Sequence, residues 1–342
     1  MDNRLYTYIK ELCAIGGISG DEGSVRNYIK EKLDGRYEHF TDPLGNLIVT
    51  VKGKNPSKKK LMVCAHMDEV GMIVTSLKSD GTLGIDMVGG VDPRVCIGRR
   101  VTLHGGTING VIGAKAVHNL TDEEKKKAPD FSGLYVDIGT SSKEETEKLI
   151  SLGDSVCFAS DFIELGDGFI KDKAIDDRVG CAILLRILDE TPEYDLTAVF
   201  TVQEEIGLRG AGAAAYTVAP ECALILETTT AADIPSAGEE QKCCYLGKGA
   251  AVPFMDRSTV YDRELFNLSK VAAEEIAVGW QTKTTIAGGN DGGAVHKSRG
   301  GVKTLAVSVP VRYLHSPACV AKLSDIMDSY MLAGAMIERI CR

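Results

Sequence analysis

The sequence predicts an α/β fold: a mostly parallel central sheet flanked by helices, interrupted by a small inserted β-barrel. Three observations carry that prediction. The run LMVCA that precedes His66 is apolar at every position, which suits a strand buried on both faces. Beyond Asp176, apolar strands and helices alternate, the rhythm of a parallel sheet covered on both sides. Between Val70 and Ile163 the texture changes to short β-branched runs broken by glycines, the spacing of a small barrel or sandwich. The expected organisation is one α/β domain made of residues 1–69 and 164–342, with residues 70–163 inserted as a β-barrel domain.

Leu5, Tyr8, Ile9 and Leu12 share one face of an opening helix, which the Gly-Gly-Ile-Ser-Gly stretch ends. A second helix is expected from Ser24 to Leu33, then extended chain NLIVTVKG, then a solvated Lys58-Lys59-Lys60 run ahead of LMVCA. Within the insert, GMIVTSL, GTLGIDMVGG, RRVTLHGGTINGVIGAKAV, LYVDIGT and DSVCFAS hold the candidate strands. The charged stretches TDEEKKKA and SSKEETEKLI read as surface helices. After Asp176 come a helix VGCAILLRIL, strands LTAVFTV and ALIL, an acidic helix near 261–278 and a strand TLAVSV.

With 342 residues, 44% hydrophobic and 25% charged, the chain can bury one large core plus a smaller unit. A formal net charge of -9 argues against nucleic acid, whose binding relies on Lys and Arg neutralising phosphates. The first residues lack the basic start and apolar stretch of a secretory signal, and no run approaches the roughly 20 apolar residues of a membrane span. A soluble, cytoplasmic protein without a membrane partner is expected. Its ten cysteines are then reduced, small apolar residues, and none falls in a C-x-x-C pair.

Ligands of open α/β sheets bind beyond the carboxyl ends of the strands. Reactive side chains gather at four such ends: His66 after LMVCA, Glu204 and Glu205 after LTAVFTVQ, Glu227 after ALIL, and His315 just past TLAVSVPVRYL. His66 and Asp68 are two apart, so in extended chain the carboxylate can hold the imidazole by its second nitrogen; a surface histidine with an acidic neighbour is the local alternative. Asp176 and Asp177 open a helix and could simply cap it. Alternatively Asp176 bridges two cations, one oxygen to each, as two-metal hydrolases with ions roughly 3.5–4 Å apart require. Adjacent Glu204 and Glu205 are costly to bury unless a cation or proton offsets them; one as ligand and the other as general base gives each a role, and helix capping is the alternative. Asp291, in GGNDGGAVH beside Gly289, either faces substrate or shapes a turn. His39, His104, His118 and His296 have no comparable company and read as structural.

Taken in order, AHMDEVG, AIDDRVG, QEEIGLRGA, LETTTAADIP and VRYLHSP resemble the motifs of the tetrahedral, or deblocking, aminopeptidases, which include glutamyl aminopeptidases. The likeness runs along nearly the whole chain, including GISGDEGSVR and the β-insert. It implies a di-zinc aminopeptidase-like fold and a metal-dependent aminopeptidase that removes N-terminal residues from peptides with a free N-terminus, using metal-activated water. It further implies two divalent metal ions per subunit, zinc or cobalt. Asp176 would bridge them, Glu205 and His315 would complete one site, and His66 and Glu227 the other. Glu204 would be the general base, Asp68 would orient His66, and the Asp176–Asp177 peptide is expected to be cis. Position 227 is often Asp in that family, so Glu227 is longer by one methylene. The resemblance also implies a homo-oligomer, with dimers built through the inserted domain, which could also act as a lid, and a tetrahedral dodecamer built from the dimers.

Other chemistries share parts of this ligand set. A metal-dependent deacylase or carboxypeptidase would use similar residues, a carboxylate-pair glycosidase would need two acids and no metal, and a non-catalytic metal-binding scaffold would need only the ligands.

Overall fold

The computed structural model describes residues 2–342. Helix Asn3–Ala14 starts where the Asp2 carboxylate accepts from the Arg4 and Leu5 amides, and it buries the predicted face of Leu5, Tyr8, Ile9 and Leu12. That face packs on helix Ile175–Asp189, whose residues are nearly all buried because it lies between the opening helix and the sheet. Helix Gly23–Leu33 follows the predicted span to within a residue.

An eleven-stranded sheet forms the centre. Its four middle strands are parallel, in the order Leu196–Thr201, Leu61–His66, Cys222–Thr230 and Lys303–Arg312. Every residue of Leu61–His66 is buried, as a strand covered on both faces requires. The flanking strands are antiparallel: Leu47–Val51 lies beside Leu196–Thr201, and Cys319–Lys322 beside Lys303–Arg312. The sheet is therefore parallel where the site is built, with antiparallel strands on either side of that core.

The insert is a closed barrel of six antiparallel strands, Gly71–Leu77, Leu83–Val88, Leu134–Asp137, Ile108–Ala114, Arg100–Leu103 and Ser155–Phe158. Alternating residues such as Met72, Val74, Val101, Leu103 and Val136 point inward and give it a core of its own. Strand Ile163–Leu165 already pairs within the large sheet.

The two charged stretches of the insert do not form the surface helices expected of them. TDEEKKKA holds one 3-10 turn at Glu124–Lys126, and SSKEETEKLI a single helical turn at Lys143–Thr146 capped by Ser142. Segments this short have no apolar face to dock, and isolated turns do not propagate. The acidic helix is Arg263–Glu275, capped by Asp262.

Where the chain leaves the sheet for the barrel and where it returns, a buried ion cluster joins the two crossings. Lys173 Nζ lies 2.7 Å from Glu69 Oε1, and Arg178 Nη2 lies 3.3 Å from the same oxygen. Arg178 also donates to the Leu12, Ile15 and Gly17 carbonyls, so the loop after the first helix is held by the same group of charges. Buried charges of this kind are costly unless hydrogen bonds satisfy them, and Glu69 gains a further one by accepting from the Gly17 amide.

Candidate metal centre

Strand register sets the site. Thr201 pairs with His66 and Ile225 with Cys64, so Glu227, two residues on, comes level with His66 and on the same face. A carboxylate and an imidazole thus meet at the carboxyl end of the parallel core. His66 Nε2 lies 3.4 Å from Glu227 Oε1 and 3.3 Å from Asp176 Oδ1. The other oxygen of Asp176, Oδ2, lies 3.4 Å from His315 Nε2, which is 3.2 Å from Glu205 Oε2. Asp176 therefore faces two half-sites, an inner one of His66 and Glu227 and an outer one of Glu205 and His315. The Asp176–Asp177 peptide is cis, as expected.

These spacings suit cations. Ligand atoms about 2.1 Å from a tetrahedral ion stand about 3.4 Å apart, longer than an ordinary hydrogen bond. Asp176 Oδ1, Glu205 Oε1 and Glu227 Oε2 are buried with no hydrogen-bond partner, although a buried carboxylate oxygen left unpaired is costly. His66, Asp176 and Glu205 offer atoms within 4.8 Å of one another, and so do His66, Asp177 and Glu227. Asp177 is nevertheless a poor ligand, because its oxygens accept from the His66 and Gly180 amides. It supports the strand end that carries His66.

Electrostatics agree. Burial alone would lower both imidazoles, yet Glu227 and Asp176 raise His66 well above its ordinary value, and Asp176 and Glu205 raise His315 to about 11. Burial, with the other carboxylates, likewise pushes Glu204 well up and Glu227 to about 8, against the pull of His66. Burial raises the glutamates and the surrounding carboxylates raise both imidazoles, so the site gathers more buried negative charge than its own groups neutralise. A bound cation removes it, and protons are the only substitute.

Asp68, expected to orient His66, meets that imidazole through two of its atoms. His66 Nδ1 lies 3.0 Å from the Asp68 carbonyl, whereas the Asp68 carboxylate stands 3.4 Å away. The strand ends at His66, so alternation does not carry to position 68. The carboxylate instead accepts from Ser19 Oγ at 2.6 Å and from the Glu204 and Glu205 amides at 3.1 Å each. Burial would raise Asp68, but His66 and these donors hold it below the usual carboxylate range, so it stays ionised. It fixes the turn that presents both glutamates. Ser19 was passed over as a loop residue, because nothing local in GISGDEG announces so distant a partner.

The site opens into a cavity of about 340 Å³ lined by the ligands, Glu204, Thr228–Thr230, Lys283, Gly289 and Leu314 among others. Gly289 sits where a Cβ would come 2.8 Å from Ser258 Oγ, so the wall there must be bare backbone. Asp291 does not face substrate. It is buried behind the centre, does not line the cavity, and accepts from Thr201 Oγ1 at 2.5 Å, while burial raises it to about 6. Lys283 lines the wall, and its ammonium donates to the Ala287 carbonyl with no carboxylate paired to it among the described residues. His39, His104, His118 and His296 lie outside the cavity, and the ten cysteines are free and buried.

Solved structures with this architecture include aminopeptidases, and one from Thermotoga maritima, with a TM-score of 0.79 and 37% identity over 97% of this chain and 99% of that one, is described as an endoglucanase. The aminopeptidase of the archaeon Desulfurococcus kamchatkensis superposes with a TM-score of 0.93 at 33% identity, covering 98% of this chain and 95% of that one. The TET1 peptidase of Pyrococcus horikoshii, which can assemble into a tetrahedron or a large octahedral shell, superposes at 0.86 with 33% identity over 97% and 98% of the two chains. A putative aminopeptidase of Acetivibrio thermocellus is 38% identical over 340 residues, 98% of each chain. Fold and site together define a peptide hydrolase whose centre suits divalent cations. A model of the M42 glutamyl aminopeptidases matches residues 45–332, and the chain belongs to that family. No helix among the described residues is long and apolar enough to cross a membrane.

Proposed function

We propose that the protein is a metal-dependent aminopeptidase working with two divalent ions, zinc or cobalt, shared by Asp176. The observation that supports this best is the pair of half-sites, each with an imidazole Nε2 and a carboxylate oxygen 3.2–3.4 Å apart, facing opposite oxygens of Asp176. His66 and Glu227 would hold one ion, Glu205 and His315 the other. Divalent cations so held supply Lewis acidity, polarising a carbonyl and letting water lose a proton near neutral pH. Glu204 lines the cavity beside the ligands and, as general base, accepts that proton on its carboxylate and returns it to the leaving amine. Asp68 keeps Glu204 in place through its amide.

The Glu227 side of the cavity would receive a free N-terminus, which favours exopeptidase over endopeptidase action. Lys283 gives the wall a cation for an acidic first side chain. Subunits would assemble with copies of themselves, as the Pyrococcus relative does. A chelator-stripped preparation, re-supplied with zinc or cobalt and assayed on aminoacyl anilides with varied first residues, tests the reading. Activity should return with metal and be highest on acidic first residues. Glu204→Gln should cut kcat by about 10²–10⁴-fold while mass spectrometry still finds the metal bound. Activity that survives chelation, or an unimpaired Gln variant, would sink the proposal.

A further inference from the structure

Both histidines of the centre are held the same way from very different distances. His66 Nδ1 is 3.0 Å from the carbonyl of Asp68, two residues along, and His315 Nδ1 is 3.0 Å from the carbonyl of Gly90, 225 positions away in the inserted barrel. A carbonyl oxygen only accepts, so in each case Nδ1 carries a hydrogen, and Nε2, facing Asp176, is the nitrogen that would bind a cation once its own proton is displaced. His66 is also fixed by a fully buried strand. His315 is on a loop, with φ of 58° and its side chain 31% exposed, so no strand fixes it.

The barrel loop is shaped to reach it. Gly89 and Gly90 follow strand Leu83–Val88. A Cβ on Gly90 would stand 3.2 Å from His315 Nδ1, and one on Gly89 would stand 3.2 Å from Glu205 Cβ and 2.8 Å from Val70 Cγ1. Only bare backbone can lie against both outer ligands at once. Gly89, with φ of +83°, also takes a conformation that other residues rarely adopt.

We propose that the Gly89–Gly90 loop of the inserted barrel is a positioning element of the outer half-site: the Gly90 carbonyl sets the tautomer and aim of His315, so the barrel and the catalytic sheet form one metal centre. This rests on the two-ion reading above. By reciprocity, an ion bound at the outer half steadies the barrel loop.

Zinc titration calorimetry on the metal-free full chain tests it, with hydrogen exchange followed at the amides of 88–92. In wild type, two zinc ions bind, and loading slows exchange in that loop. Gly90→Ala, whose new methyl presses on the ring, weakens one ion by about 10–100-fold and leaves the other within about twofold, with an unchanged melting temperature of the metal-free protein. Gly133→Ala, in open space on the same insert and outside the left-handed backbone region, changes neither ion. The inference is overturned if Gly90→Ala binds both ions as wild type does, or loses both alike. Should that variant not fold, wild-type exchange decides: loop protection on zinc loading upholds the inference, and its absence overturns it. Uptake of a single ion by wild type would instead remove the parent reading, a result visible before any variant is made.

Discussion

The inner and outer halves of the metal centre carry the same kinds of ligand on different foundations. His66 ends a strand buried on both faces, and Glu227 sits inside the adjacent parallel strand, both almost wholly shielded. Glu205 belongs to the turn after Leu196–Thr201, and His315 to a loop three residues past Lys303–Arg312. The inner half inherits its geometry from sheet register. The outer half must be assembled by contacts from elsewhere: the Asp68 carboxylate under the glutamate turn and the Gly90 carbonyl behind the imidazole. Identical chemistry can thus be rigid by inheritance on one side and by long-range bracing on the other.

The loss expected for Glu204→Gln is the largest, because it would remove the proposed base, which serves both halves. Next is Asp68→Asn. Three donors converge on that carboxylate, and an amide must turn its NH₂ toward one of them. kcat/KM is expected to drop about 10–100-fold with secondary structure intact by circular dichroism; a near-wild-type value would mean that the outer half is not braced in this way.

A pair of shortened side chains tests the contrast directly. Glu227→Asp withdraws a carboxylate from a strand that cannot follow it, whereas Glu205→Asp acts on a turn that can. Zinc affinity at the inner half should fall about 10–100-fold in the first variant, and at the outer half by less than about tenfold in the second. The opposite order, read by calorimetry, breaks the comparison.

The smallest effect is on stability without metal. Burial raises Glu227 from 4.5 to about 8. A carboxyl raised in this way adds stability that is complete below its unfolded value and is lost as pH climbs through the folded one. His315, raised from 6.5 to about 11, acts in the same sense at higher pH. Asp176 is held low, so its contribution does not change between about pH 5 and pH 9. The melting temperature of metal-free protein should therefore decline across that window, and less steeply with zinc bound. Glu227→Gln should flatten the metal-free slope; an unaltered slope would show that the inner carboxylate is not its source.

How much could be read from the sequence follows the same division. His66, Glu205 and Glu227 stood out because apolar runs ended on charged residues, and register then placed two of them side by side. His315 was visible as a residue, but its brace was not, since a glycine carbonyl 225 positions away has no local signature. Asp68 was read through strand alternation that stops two residues earlier. Asp291 was left open between facing substrate and shaping a turn, and the contact that decides its place, a hydrogen bond from Thr201 on a distant strand, has no local signature. The antiparallel pairing of Leu47–Val51 with Leu196–Thr201 joins strands distant in sequence, which no periodicity reveals.

The insertion also has a consequence in time. Strand Leu61–His66 lies between Leu196–Thr201 and Cys222–Thr230, so its first parallel neighbour is made about 130 residues after it. At 5–20 residues per second, this fully buried strand waits roughly ten seconds for a partner. The barrel, with all six strands between Gly71 and Phe158, can close during that wait. A nascent chain stalled near residue 170 would then hold a finished barrel attached to an unpaired strand, the stage of synthesis at which this chain is most exposed to aggregation.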